Sequence, residues 1–150
     1  MPDIGTFAGV AVGLLIAHQV GDHWVQSGHQ AATKDRRDHA GRIACARHVA
    51  SYTVVTASTV LALWGAFQLN ITWQGFAAGQ VMSAVTHYWA DRRFTLARLA
   101  ALAGLAPFYA LGAPREGRDD NPLLGTGAYA LDQSWHWAWL GVAAFLTAVL

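Results

Sequence analysis

Four apolar stretches, residues 4–26, 43–67, 74–93 and 126–150, divide the chain, and polar segments lie between the first and second and between the third and fourth. A helix rises 1.5 Å per residue, so about 20 predominantly apolar residues span the roughly 30 Å hydrocarbon core of a bilayer. Each stretch therefore predicts one membrane-spanning helix, the third being the shortest. Residues 27–42, SGHQAATKDRRDHAGR, have no apolar period and predict a solvated loop. Residues 68–75 predict a short uncharged connection whose Trp73, with Trp64 nearby, suits the aromatic belt of a membrane interface. Residues 94–112 are apolar but carry Arg98 and Pro107, which predicts an interfacial helix continuing the third span rather than a fifth crossing. Residues 113–125 predict a polar loop. The expected fold is all-α: one domain, a polytopic membrane four-helix bundle running up-down-up-down, with an interfacial helix between the third and fourth spans.

Composition supports this picture. The chain is 54% hydrophobic and 13% charged, against about 25% charged in an average soluble domain. Its single cysteine, Cys45, excludes an intramolecular disulfide and a cysteine-based metal motif. The first stretch follows Asp3 and lacks a basic leading region, so it is expected to stay in the mature protein rather than be cleaved as a signal.

Charge distribution sets a topology. All ten basic residues (Lys34, Arg36, Arg37, Arg42, Arg47, Arg92, Arg93, Arg98, Arg115 and Arg118) fall in or beside the first and third connections. The positive-inside rule then puts both connections on the cytoplasmic side and both termini outside. The basic residues are few and mixed with Asp35, Asp38, Asp119 and Asp120, which speaks against nucleic acid as a partner. The partners expected are the lipid bilayer, an anionic lipid or lipid-linked substrate, and a second copy of the chain if it oligomerises.

The chemistry lies in a repeated spacing. His18 and Asp22, then His87 and Asp91, stand four residues apart, and Asp132 and His136 repeat the spacing in reverse order. Residues four apart on a helix share a face, so each pair directs an imidazole and a carboxylate toward one point. His48 adds an imidazole near the start of the second span, with Ser51 and Tyr52 on one face and Thr56 toward its edge, and Gln80 and Ser83 extend the His87 stripe. In an alternating four-helix arrangement these groups share one depth, the cytoplasmic end of the bundle. A layer of four imidazoles and three carboxylates there has two readings. One is a buried hydrogen-bond network that fixes helix packing, and the other is a metal centre built from ligands on facing helices. For any one pair the first suffices, but packing alone does not require all seven groups together.

Histidine nitrogen and aspartate oxygen suit zinc, manganese or iron, and the absence of thiolates argues against a purely structural zinc site. The candidate ligands are His18, Asp22, His48, His87, Asp91, Asp132 and His136. Seven ligands can serve two divalent ions, or one with the remaining aspartates outside it. Asp22, Asp91 and Asp132 are thus also the candidate catalytic carboxylates, and such a centre supplies hydroxide for cleaving a phosphate ester or a lipid-linked bond. Gln26, Lys34, Arg92 and Gln133 are candidate substrate contacts; Arg93 has a similar claim, and topology or anionic-lipid binding accounts equally well for the cations. His23, His29 and His39 are expected to be ordinary loop residues, and Tyr88, Tyr129, Trp135, Trp137 and Trp139 to serve packing and the interface.

The order His18-x3-Asp22-x3-Gln26, Lys34, His48, His87-Tyr88-x2-Asp91-Arg92 and Asp132-Gln133-x2-His136 resembles the small bacterial and phage membrane proteins of the DUF3307 family, over nearly the whole chain. That resemblance implies a membrane protein and no settled activity. The chain is also loosely similar to membrane-bound metal-dependent hydrolases, which place His and Asp at helix ends, a likeness by analogy only.

Four functions compete. The leading one is a metal-dependent membrane hydrolase. A metal-ion or proton pathway would use the same groups, but beyond them only Gln80, Ser58 and Thr59 offer a polar continuation. Haem ligation is disfavoured by a carboxylate one turn from each of three histidines. A non-enzymatic phage or host interaction protein would keep the polar layer as structure.

Overall fold

The computed structural model describes residues 2–113 and 126–150, so most of the expected polar loop, with Arg115 and Arg118, lies outside the described residues. The described residues contain helices and no strands: α1 Ile4–Val20, α2 Gly28–Thr33, α3 His39–Phe67, α4 Trp73–Asp91, α5 Phe94–Leu102, α6 Ala106–Tyr109 and α7 Gly127–Val149. A π-helical turn, Gly21–Val25, extends α1.

The sequence sets the helix ends locally. Asp3, Asp38, Thr72 and Thr126 each accept a hydrogen bond from a backbone N–H of the first turn of α1, α3, α4 and α7, the standard means of satisfying donors that have no partner inside the helix. Amide donation by Gly41 holds the Asp38 carboxyl below its ordinary range. At its other end α3 stops at Gln68, which takes a left-handed conformation at φ 51°.

Two expectations need correction. Residues 27–42 are not a loop throughout: Ser27 and Gln30 form a reciprocal capping box that starts α2, and α3 already begins at His39. Nor does one interfacial helix continue the third span. Arg93 adopts a positive φ of 48° between α4 and α5, and Gly104, at φ 74°, separates α5 from α6. At nine and four residues, neither helix can cross a bilayer.

The long helices pack in a ring. α1 contacts α3 and α7, and α4 contacts the same two. The C-terminal ends of α1 and α4 meet the N-terminal parts of α3 and α7 in one polar layer, whereas Val10, Leu14, Val60, Ile71, Leu140, Ala143 and Ala144 form the apolar core toward the opposite end. Small residues let α4 and α7 approach closely. A Cβ on Gly79 would collide with Thr147 and stand 2.8 Å from the Ala143 carbonyl oxygen, and one on Gly75 would lie 2.7 Å from the Thr147 carbonyl oxygen. Helices packed through such glycines gain backbone contact that larger side chains would prevent.

The surface is apolar where a soluble protein would be polar. Val12, Ile16, Val54, Val81, Val85, Trp137 and Phe145 are each more than half exposed on the four long helices. Two helical segments, Ile4–Val25 and His39–Phe67, are long and apolar enough to cross a membrane.

Gly79→Ala should destabilise the fold by about 1–3 kcal/mol, because a methyl group there meets backbone that cannot rotate away. Gly141→Ala, where a Cβ meets open space, should be neutral or stabilising by up to about 1 kcal/mol. Denaturant unfolding of both variants in detergent checks the contrast.

Candidate metal centre

Four helices deliver the seven predicted residues to one region, six of them in close contact. Asp22 Oδ2 lies 3.3 Å from His18 Nε2, while its Oδ1 lies 3.3 Å from both His48 Nε2 and His87 Nε2. Asp91 Oδ2 is 3.1 Å from His48 Nε2 and 3.3 Å from His87 Nε2, and the two ring nitrogens are 3.0 Å apart. The His136 ring packs against those of His87 and His18, with centroids 4.3 and 4.8 Å apart. Asp132 stands at the rim, with Oδ1 3.6 Å from His136 Nε2 and its side chain 28% exposed. All four histidines are buried.

Local structure explains the convergence. The π-helical turn carries Asp22, and such turns are frequent where a side chain must be re-aimed at a site. Gly21 permits it, since a Cβ there would come within 2.9 Å of the Tyr52 ring. Tyr52 in turn stacks on His87, with centroids 3.9 Å apart and planes at 24°, and meets His18 edge-on. Its hydroxyl shares a 2.9 Å hydrogen bond with Ser83. Thr56, expected at the edge of this face, is fully buried and donates to Gln80 Oε1 at 2.9 Å.

The donor set suits a cation. Metal–ligand bonds of 2.0–2.1 Å in a tetrahedron put neighbouring ligand atoms about 3.3 Å apart. The triangle of His48 Nε2, His87 Nε2 and Asp91 Oδ2 has edges of 3.0, 3.1 and 3.3 Å. His18, Asp22, His87 and His136 form a second group able to hold an ion. Among the described residues, His18 Nε2, Asp22 Oδ1, Asp91 Oδ2 and His136 Nε2 are buried without a hydrogen-bond partner. Their approaches to one another at 3.1–3.6 Å are ion-pair contacts without hydrogen-bond geometry, as expected of ligand atoms that converge on a point between them rather than on each other.

The structure redistributes the candidate substrate contacts. Lys34, expected in a solvated loop, is buried and donates to Asp91 Oδ1 at 2.8 Å, leaving Oδ2 for the histidines. Arg92 is buried as well, donates to the Arg36 carbonyl and lies over the Phe94 ring. A pocket of about 430 Å³ adjoins the cluster, lined by Asp22, Asp91 and Asp132, by Gln26 and Gln133, and by Lys34 and Arg93, but not by Arg92. Gln26 Nε2 and Gln133 Oε1 are buried without hydrogen-bond partners among the described residues. The wall also holds Tyr109 and Tyr129, and burial pushes the Tyr109 hydroxyl above its ordinary range, which keeps it a neutral donor.

His23, His29 and His39 are exposed but are not loop residues: they lie in the π-helical turn, in α2 and at the start of α3, and His23 lines the pocket. Sequence reasoning missed the Lys34–Asp91 pair, the π-helical turn and the place of Tyr109. The Ser27-x2-Gln30 capping box was the one available signal that α2, and with it Lys34, is ordered.

The family described as "Protein of unknown function (DUF3307)" matches residues 10–150. No curated protein matches the chain. No solved structure matches it either.

Lys34→Met should destabilise the protein by about 3–5 kcal/mol, since it leaves Asp91 buried without its cation. Arg36→Ala, which breaks an exposed pair with Asp38, should cost no more than about 1 kcal/mol. Unfolding midpoints of the two variants, measured side by side, check the difference.

Proposed function

The chain belongs to the DUF3307 family, and we propose that it is a metal-dependent integral membrane hydrolase acting on a phosphate ester or a lipid-linked bond. The observation that carries this reading is the polar pocket beside the buried His/Asp cluster, large enough for a phosphorylated headgroup.

Four crossings are part of the proposal. Residues 4–17, 49–67, 73–86 and 137–150, the parts of the long helices beyond the histidine layer, contain no Asp, Glu, Lys, Arg or His. Fourteen residues of helix measure about 21 Å, so the uncharged zone together with the histidine layer approaches the thickness of a hydrocarbon core. The exposed valines of α4 and the exposed Phe145 of α7 favour lipid around these helices as well as around α1 and α3. The basic residues near the polar layer favour, under the positive-inside rule, a cytoplasmic site with both termini outside.

His18, Asp22, His48, His87, Asp91 and His136 would hold zinc, manganese or iron, which when bound would lower the pKa of a water and offer a Lewis acid to a phosphoryl group. The chain's own groups account for the rest. Arg93, exposed and paired with Asp35 at 3.4 Å, can exchange that partner for a substrate phosphate. Gln26 and Gln133 offer a donor and an acceptor to orient a substrate oxygen or water. Asp132, partly exposed and flanking His136, is placed to accept a proton at the rim. Lys34 holds Asp91 in position instead of binding substrate.

Ion passage has one feature in its favour, the Tyr52–Ser83 and Thr56–Gln80 pairs that carry polarity past the histidines. Beyond them the interior closes on Val10, Leu14, Val60 and Leu140, all nearly inaccessible.

Elemental analysis of detergent-purified protein, prepared without a metal-affinity step, tests the proposal. Wild type should carry near-stoichiometric zinc, manganese or iron, His87→Ala should lose it, and His29→Ala and His39→Ala should retain it. Equal metal content in all three variants would refute the site. Phosphoester hydrolysis by the loaded protein, abolished in Asp132→Asn with metal retained, would support the reaction.

A further inference from the structure

We infer that the centre is built for two metal ions bridged by Asp22, one ion held by His48, His87 and Asp91 and the other by His18 and His136. This rests on the reading of the cluster as a metal centre and concerns how its ligands divide.

The division follows from the oxygens. The two oxygens of the Asp22 carboxylate face different partners: Oδ1 lies 3.3 Å from His48 Nε2 and His87 Nε2, and Oδ2 lies 3.3 Å from His18 Nε2. A carboxylate serving one ion would face a single set of nitrogens. One with a separate nitrogen group on each oxygen is the arrangement that spans two ions about 3.5–4 Å apart. His87 belongs to both candidate groups, and its Nε2, 3.3 Å from Asp91 Oδ2 and from the same Asp22 oxygen that faces His48, assigns it to the first side, which leaves each side two imidazoles and one further carboxylate. Asp91 Oδ2 completes the first, and Asp132 Oδ1, 3.6 Å from His136 Nε2, flanks the second. The second side has its own unsatisfied ligand atoms, since His18 Nε2 and His136 Nε2 belong to side chains at least nine-tenths buried and make no hydrogen bond among the described residues.

The two positions are unequal. Lys34 occupies the outer oxygen of Asp91, so the carboxylate of the first position is fixed by a buried ion pair, although both residues also reach the pocket wall. The second is bordered by the partly exposed Asp132, which lines the pocket. The geometry therefore assigns a tightly held ion to the His48–His87–Asp91 side. It assigns an exchangeable ion to the His18–His136 side, where a phosphate group entering the pocket meets the centre.

Titration of metal-stripped, detergent-solubilised wild type with Mn(II), followed by electron paramagnetic resonance and elemental analysis, tests the inference. Two ions per chain are expected, the second binding at least tenfold more weakly and producing an exchange-coupled spectrum that replaces the six-line signal of the first. His136→Gln should retain one ion and its uncoupled six-line signal. One ion per chain at saturating Mn(II), without coupling, would overturn the pair and leave the single-ion centre standing. No bound Mn(II), zinc or iron in wild type would overturn the metal centre itself. Wild-type stoichiometry and coupling decide the question even if the variant fails to fold.

Discussion

Two carboxylates pressed against ring nitrogens in a buried layer are the constraint on which the rest of the structure depends. Asp22 and Asp91 sit where ionised groups are costly, and they are tolerable there only because His18, His48, His87 and Lys34 surround them. Each helix of the ring supplies part of that surrounding. α1 and its π-helical turn bring one carboxylate, α4 brings the other, α3 contributes His48 and the Tyr52 ring that orients His87, and α7 closes the layer with His136. Loss of α4 would leave Lys34 without its counter-ion, and loss of α3 would take His48 from both carboxylates.

The packing beyond the polar layer follows from the same demand. Groups that must touch across the ring require helices that come close, and on the α4–α7 side Gly75 and Gly79 allow this by letting backbone meet backbone. With polar groups turned inward, bulky apolar side chains such as Val81, Val85 and Phe145 are left outward, which suits an apolar surrounding. Small residues at the contact, polar residues within and large apolar residues outside are three consequences of one arrangement.

Much of this was legible in the sequence because helical spacing is a local property. The i, i+4 relation of His18 to Asp22, of His87 to Asp91 and of Asp132 to His136 depends on helix geometry alone, and the apolar stretches located the four long helices to within a few residues. The contacts that remained hidden are not local. Lys34 and Asp91 are 57 positions apart, and nothing in a polar segment marks which lysine turns inward. The widened turn at Gly21–Val25 is marked only by Gly21, whose missing Cβ makes room for the Tyr52 ring on another helix, a contact that local composition does not reveal. Arg92 and Arg93 are adjacent and alike in type, and the positive φ at Arg93 separates a guanidinium folded back on Arg36 from one that lines the pocket.

The buried Lys34–Asp91 pair also bears on the order in which the molecule is completed. During synthesis α1, α2 and α3 emerge before α4, so Lys34 exists for some time with its eventual counter-ion not yet made. An ammonium group does not leave water without compensation, so α2 can pack on α3 while the Lys34 side chain stays solvated until the end of α4 arrives. The last turn of α4 thus brings His87 and Asp91 into the layer together, and with Asp91 the electrostatic reason for Lys34 to turn inward.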